Sequence, residues 1–120
     1  MNLEVAVRFV GNVAVVDTTG RITLGDECTL FRNTMRELFE SSHKDILLNF
    51  KGLTYVDSAG LGELTTCYIT SCRKGGQVRI VNARIKIQQI LEITHLLTFF
   101  MIFSDETEAI RSFGPDGDVS

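Results

Sequence analysis

The chain has 120 residues, enough for one domain that buries roughly two thirds of the surface its unfolded form exposes. An apolar share of 44% with eight Phe and no Trp points to an aliphatic, Phe-rich core, and 22% charged residues is too few for a disordered chain. The net charge is −3, and Arg8, Arg21, Arg36, Lys51, Arg73, Arg79 and Lys86 are scattered, so no basic stripe favours direct nucleic-acid binding.

The first residues, Met1 to Val5, lack the basic flank and apolar run of a signal peptide, and no segment approaches the ~20 apolar residues of a membrane span. The expectation is a soluble cytoplasmic protein with no membrane attachment. Cys28, Cys67 and Cys72 form no C-x-x-C pair and have no histidine at ligand spacing, so they read as buried reduced thiols rather than a metal or redox site. His43 and His95 stand alone and read as surface or helix-end residues.

Leu3, Val5, Val7 and Phe9 alternate with Glu4, Ala6 and Arg8, which predicts a strand near an edge with one face on the core. Gly11-Asn12 turns the chain into a second strand from Val13 to Thr18, closed by residues 19–22, giving an antiparallel hairpin. Over residues 26–40, Leu30, Phe31, Met35, Leu38 and Phe39 recur at helical spacing, with Asp26 placed as the cap. Residues 45–50 form an apolar run suited to a strand covered on both faces, and residues 51–57 are expected to be the loop leaving it. A second helix over 58–74 is expected to bury Leu61, Leu64, Tyr68 and Cys72 and to stop at Gly75-Gly76. Residues 77–81 then predict a strand, 84–94 a helix carrying Ile87, Ile90, Leu91 and Ile93, 101–103 a short strand and 105–113 a last helix. The fold class is therefore α/β: one domain over residues 1–113, a mixed sheet whose N-terminal pair is antiparallel and whose later strands are parallel, packed by about four helices. Residues 114–120 are expected to be a disordered tail.

The segment Val56-Asp57-Ser58-Ala59-Gly60-Leu61-Gly62-Glu63-Leu64 breaks a local rule at the start of a good helix. Each interior glycine costs about 1 kcal/mol relative to Ala, and Gly60 and Gly62 stand in the first turns. Lapses of this kind tend to fall at functional sites. Ser58 lies after a strand, on the side where open α/β sheets place their ligands. Ser58, Gly62 and Thr66 step by four and predict an exposed face of small side chains. Asp57 or Ser58 serves equally well as a simple helix cap, and a cap and a modified serine are compatible.

Tyr55-Val56-Asp57-Ser58-Ala59-Gly60-Leu61-Gly62 resembles the signature loop of the STAS domains of bacterial anti-sigma-factor antagonists. Gly20-Arg21-Ile22, residues 45–49, Gly75-Gly76 before residues 77–81, and Ile93-Thr94-His95-Leu96 also resemble the family's order of elements. The resemblance implies a partner switch: the unphosphorylated protein binds an anti-sigma factor that is itself a serine kinase, and Ser58 is the phosphorylation target. It further implies that Asp57, Ser58, Ala59, Gly60, Leu61 and Gly62 form the partner-binding face. Many members carry an acidic residue where this chain has Thr23, a departure that bears on kinase recognition.

The rival classes meet specific obstacles. A two-component receiver domain needs an acidic pair after its first strand, an aspartate ending its third and a lysine after its last. Here those places hold Gly11-Asn12, Asn49-Phe50 and Ser104. A serine hydrolase needs a G-x-S-x-G elbow with a histidine partner, which Asp57-Ser58-Ala59-Gly60 does not provide, so no enzymatic activity is expected. No Gly-rich phosphate loop with a lysine is present and no cofactor is expected. The alternative inside the resemblance is a STAS scaffold or regulatory subunit of a larger signalling complex. The expected state is a monomer or weak homodimer, the first strand leaving an edge for pairing.

Overall fold

Leu3–Val10 (β1) and Val13–Ile22 (β2) fold back on each other through Gly11, whose φ of 58° is open to glycine at little cost. The computed structural model describes residues 2–114. After the hairpin come α1 (Asp26–Glu40), β3 (Asp45–Val56), α2 (Ser58–Arg73), β4 (Val78–Val81), α3 (Ile85–Ile93), a 3-10 turn at Leu97–Phe99, β5 (Met101–Phe103) and α4 (Glu106–Arg111). The strands lie side by side in chain order, β1-β2-β3-β4-β5, with β1 antiparallel to β2 and every later pair parallel. This is the mixed α/β architecture expected from the sequence.

The two faces of the sheet are unequal. Ala14 and Val16 of β2, Ile46 and Leu48 of β3, and Val78 and Ile80 of β4 pack against Phe31, Met35 and Leu38 of α1, Leu64 and Cys67 of α2, and Ile87 and Leu91 of α3. Val13, Val15, Leu47 and Val81 point the other way and meet Ala109 and Ile110 of α4. Successive strand residues therefore serve two cores, which is why the central strands read as unbroken apolar runs. The apolar face that β1 was expected to lay on the core is only partly covered: Leu3 is buried, but Val7 and Phe9 remain exposed.

Three local readings are corrected. β3 does not end at Phe50 but continues to Val56, pairing with β2 through two register shifts, Asp17↔Asn49 to Thr19↔Gly52 and Gly20↔Leu53 to Arg21↔Tyr55. The extra β3 residues bulge the strand, and the stretch expected as a loop pairs with β2 alone beyond the end of β4, with Arg84 Nε donating to the Lys51 carbonyl at 3.0 Å. The cap of α1 is Gly25, at φ 108°, with Asp26 in the first turn and no side-chain cap bond. The buried stripe of α2 is Gly60, Leu64, Cys67 and Ser71, while Leu61 and Tyr68 are half-buried and Cys72 is exposed. Small residues occupy this stripe because neighbouring backbone comes close: the Ser71 hydroxyl donates to the Lys44 carbonyl at 2.6 Å. Gly114 donates its N–H to the Arg111 carbonyl at 3.1 Å. The rest of the expected tail lies outside the described residues.

Candidate functional site

β2 and β3 run parallel and end together at Ile22 and Val56, so the residues that follow them share one end of the sheet. Asp57 joins the two. Its N–H donates to the Ile22 carbonyl at 3.3 Å, and its carboxylate accepts from the Leu24 N–H and from the Gly60 N–H, each at 2.9 Å. The second bond makes Asp57 the N-cap of α2. The Leu24 N–H first, then that of Gly60, hold the Asp57 carboxyl below its ordinary range by favouring the charged form.

With Asp57 as cap, Ser58 becomes the first helical residue. It is exposed, as are Gly62 and Thr66 one and two turns on. The Ser58 hydroxyl has no hydrogen-bond partner among the described residues.

The two glycines have different causes. A Cβ on Gly60 would stand 2.2 Å from the Ile22 carbonyl oxygen and 2.7 Å from Val56 Cγ1. Gly60 is thus what lets α2 seat against the end of β2, and it faces inward. A Cβ on Gly62 would meet nothing within 4 Å. The packing of this chain gives no reason for glycine there, and the exposed strip it leaves is flat.

Large apolar side chains are exposed at neighbouring element ends, and the sequence reading did not single them out. Leu24 is 79% exposed beside the Asp57 carboxylate, Tyr55 is 40% exposed at the end of β3, and Ile85 is 68% exposed at the start of α3. Lys86 Nζ lies 5.2 Å from the Tyr55 ring centroid, which brings the start of α3 to the same place. These residues sit at element ends, where no periodicity marks them; exposed apolar side chains of this size are the kind of surface that a protein partner covers. The strip continues down α2 into a groove between α1 and α2, lined by Met35, Phe39, Thr66, Cys67 and Thr70. The Arg32–Glu63 ion pair, at 2.6 Å, crosses its upper end.

Thr23 takes part through its neighbour: its hydroxyl donates to Glu27 at 2.7 Å, lowering that carboxyl, with the Asn2 N–H as a second cause. The Cys67 thiol is pushed up to about 12 by burial and is inert at neutral pH. His43 stacks on Phe9 at a centroid distance of 4.5 Å, just before the first residue of β3, whereas Ser58 follows the last. The length of a strand separates them, so His43 is no base for Ser58.

The sequence matches the STAS domain family over residues 4–109, and the chain belongs to that family. It is 26% identical over 113 residues to an anti-sigma F factor antagonist of Paenibacillus polymyxa, a match covering 92% of this chain and 94% of the relative. A candidate anti-sigma factor antagonist of Thermotoga maritima is similar in fold, with TM-score 0.85 at 19% identity over 91% of this chain and 93% of that one. So is the anti-sigma factor antagonist SpoIIAA in its unphosphorylated form, with TM-score 0.76 at 20% identity over 91% and 95%. The phosphorylated form of the Bacillus cell fate determinant SpoIIAA gives 0.72 at 19% identity over 91% and 98%. At these identities the solved structures establish the fold.

The glycine pair separates packing from surface. Gly60→Ala is expected to destabilise the chain by about 1–3 kcal/mol, since backbone must move to admit the methyl. Gly62→Ala is expected to stabilise it by up to about 1 kcal/mol through helix propensity. Urea denaturation of the two variants beside the parent reads both signs.

Asp57→Ala is expected to cost about 1–2 kcal/mol, and Asp57→Asn less, because its amide oxygen still accepts from one N–H. The folded-state pKa of Asp57 is depressed, so its stabilisation is fully present above the unfolded value of about 3.9 and is lost as pH falls through the folded value. The gap in stability between parent and Asp57→Asn should therefore be wide at neutral pH and shrink in acid, as denaturation curves at both conditions would show.

Proposed function

We propose that this chain is an anti-sigma-factor antagonist that works as a phosphorylation-controlled partner switch. Unphosphorylated, it binds an anti-sigma factor with serine kinase activity and so frees the sigma factor; phosphorylated on Ser58, it lets the anti-sigma factor go. The observation that carries this reading is Ser58 itself: exposed, its hydroxyl without a partner among the described residues, first in α2, and one turn before the open position at Gly62. The Paenibacillus relative is named as an anti-sigma F factor antagonist, and SpoIIAA, which shares the fold, exists in unphosphorylated and phosphorylated forms.

The physical chemistry of the site supports a switch at the surface rather than a refolding event. A phosphate on Ser58 adds about −2 charge beside the Asp57 carboxylate, while the N-terminal end of α2 offsets part of the repulsion. Asp57 is already committed to the Leu24 and Gly60 N–H groups and keeps α2 capped. The fold then persists while a flat, partly apolar surface acquires a dense charge at its centre. A partner that covers Leu24 and Ile85 would have to desolvate that charge, which is costly without a matching cation.

In this reading the docking face comprises Asp57, Ser58, Ala59, Leu61 and Gly62, with Gly60 setting the seat of the helix beneath them. The protein acts by binding, without catalysis of its own, in the cytoplasm. No described helix is long and apolar enough to cross a membrane.

The test is incubation of the chain with ATP and the anti-sigma kinase encoded nearest to it, followed by intact and fragment mass measurement. One added phosphate on Ser58, absent from Ser58→Ala, is expected. Stable complex formation with no phosphate would transfer the assignment to the scaffold reading. Ser58→Asp is expected to weaken anti-sigma binding at least about tenfold, or ~1.4 kcal/mol, with the melting transition nearly unchanged. Gly62→Leu should remain folded and bind poorly; normal binding by that variant would move the interface elsewhere.

A further inference from the structure

β1 is an edge strand with no strand on its outer side among the described residues. The Arg21 N–H donates to the Asn2 carbonyl at 2.7 Å, and Val10 pairs with Val13 across the turn. In an antiparallel ladder the backbone groups alternate in direction. Glu4, Ala6, Arg8 and Val10 therefore turn theirs toward β2, and Leu3, Val5, Val7 and Phe9 turn theirs outward. Natural edges are guarded by proline, bulges or charge. β1 has no proline and pairs with β2 in unbroken register. Its charged residues are Glu4 and Arg8, of opposite sign and equally spaced about Ala6.

We propose that the outer edge of β1 pairs antiparallel with β1 of a second copy, about a two-fold axis at Ala6, to give a homodimer with one continuous sheet. In this register Leu3 faces Phe9, Val5 faces Val7 and Ala6 faces its own mate, so every outward backbone group from Leu3 to Phe9 finds a partner. Glu4 stands opposite Arg8 twice over. The neighbouring registers of the same hydrogen-bonding parity set Glu4 against Ala6 or Val10 and lose both charge pairs. Val7 and Phe9, 37% and 54% exposed, are the apolar residues of β1 that α1 leaves uncovered, and pairing lays Val5 and Leu3 of the second copy beside them. Arg8 bonds Asp17 through Nε and Nη2 and Glu106 through Nη1 and Nη2, which leaves Nη1 with a donor hydrogen for the incoming Glu4.

Sedimentation equilibrium of the full chain from low micromolar to millimolar concentration tests the pairing. The expected result is a mass rising toward twice that of the monomer. Val7→Pro removes an outward N–H and leaves the β1–β2 ladder its donors, so it should abolish the rise. Glu4→Arg, which sets like charges in both symmetric pairs, should weaken dimerisation at least about tenfold. The register is read by oxidation in a Cys72→Ser background. Ala6→Cys should cross-link, because opposed residues in a non-hydrogen-bonded pair have Cα atoms about 4.5 Å apart, within disulfide reach. Glu4→Cys should not, since its mate lies across from Arg8. A monomer at every concentration, a dimer that Val7→Pro leaves intact, or a dimer in which Ala6→Cys fails to cross-link would each overturn the proposal. Circular dichroism of each variant distinguishes lost pairing from lost folding.

Discussion

The carbonyl of Ile22 is where the sheet and the functional helix are joined. It accepts the Asp57 N–H, and it occupies the space that a side chain at position 60 would need. The Asp57 carboxylate completes the joint by gripping Leu24 beyond the end of β2 and Gly60 in the first turn of α2. Three backbone bonds to one residue, with a glycine to permit the approach, set the height and direction of α2. Ser58, Gly62 and Thr66 inherit their exposure from that placement.

This joint separates the residues that seat α2 from those that α2 leaves exposed. Asp57 and Gly60 are needed for position, and their loss is felt as stability. Ser58 and Gly62 are exposed, and a Cβ at position 62 would meet nothing within 4 Å, so neither is needed to seat the helix. Leu24, Tyr55 and Ile85 belong with the second group as exposed apolar residues at the ends of different elements. On the proposed function, a phosphate on Ser58 would change this exposed surface while the joint beneath stays made.

Element order and type were legible in the sequence because apolar spacing is strong in this chain: Phe31, Met35 and Leu38 fix α1, and residues 45–50 fix the heart of the sheet. The STAS loop was legible as a motif, and Ser58 emerged exposed at the head of α2 as its spacing implied. The failures share a physical origin. The far half of β3, with Lys51, Gly52, Thr54 and Tyr55, has neither apolar run nor clean alternation because only β2 lies beside it. The apolar spacing of α2 points to Leu61, Leu64, Tyr68 and Cys72, of which Leu64 alone is fully buried; close approach of Ile22 and Lys44 selects Gly60 and Ser71 beside it. Where backbone packs on backbone, the smallest side chains mark the core, and a pattern of large apolar residues points the wrong way. Gly60 and Gly62 looked alike in sequence for the same reason; only the position of Ile22 tells them apart.

The strands stand in the sheet in the order in which the chain presents them, each later strand joining the edge left by the one before. The frame of the serine, made of Ile22, Leu24, Asp57 and Gly60, draws wholly on the first half of the chain. During synthesis the N-terminal part emerges first and is free to fold first. The contacts that seat Ser58 thus leave the ribosome before β4, α3, β5 and α4 do, and the nascent chain meets them in the order it needs, with no wait for a distant segment to close a loop.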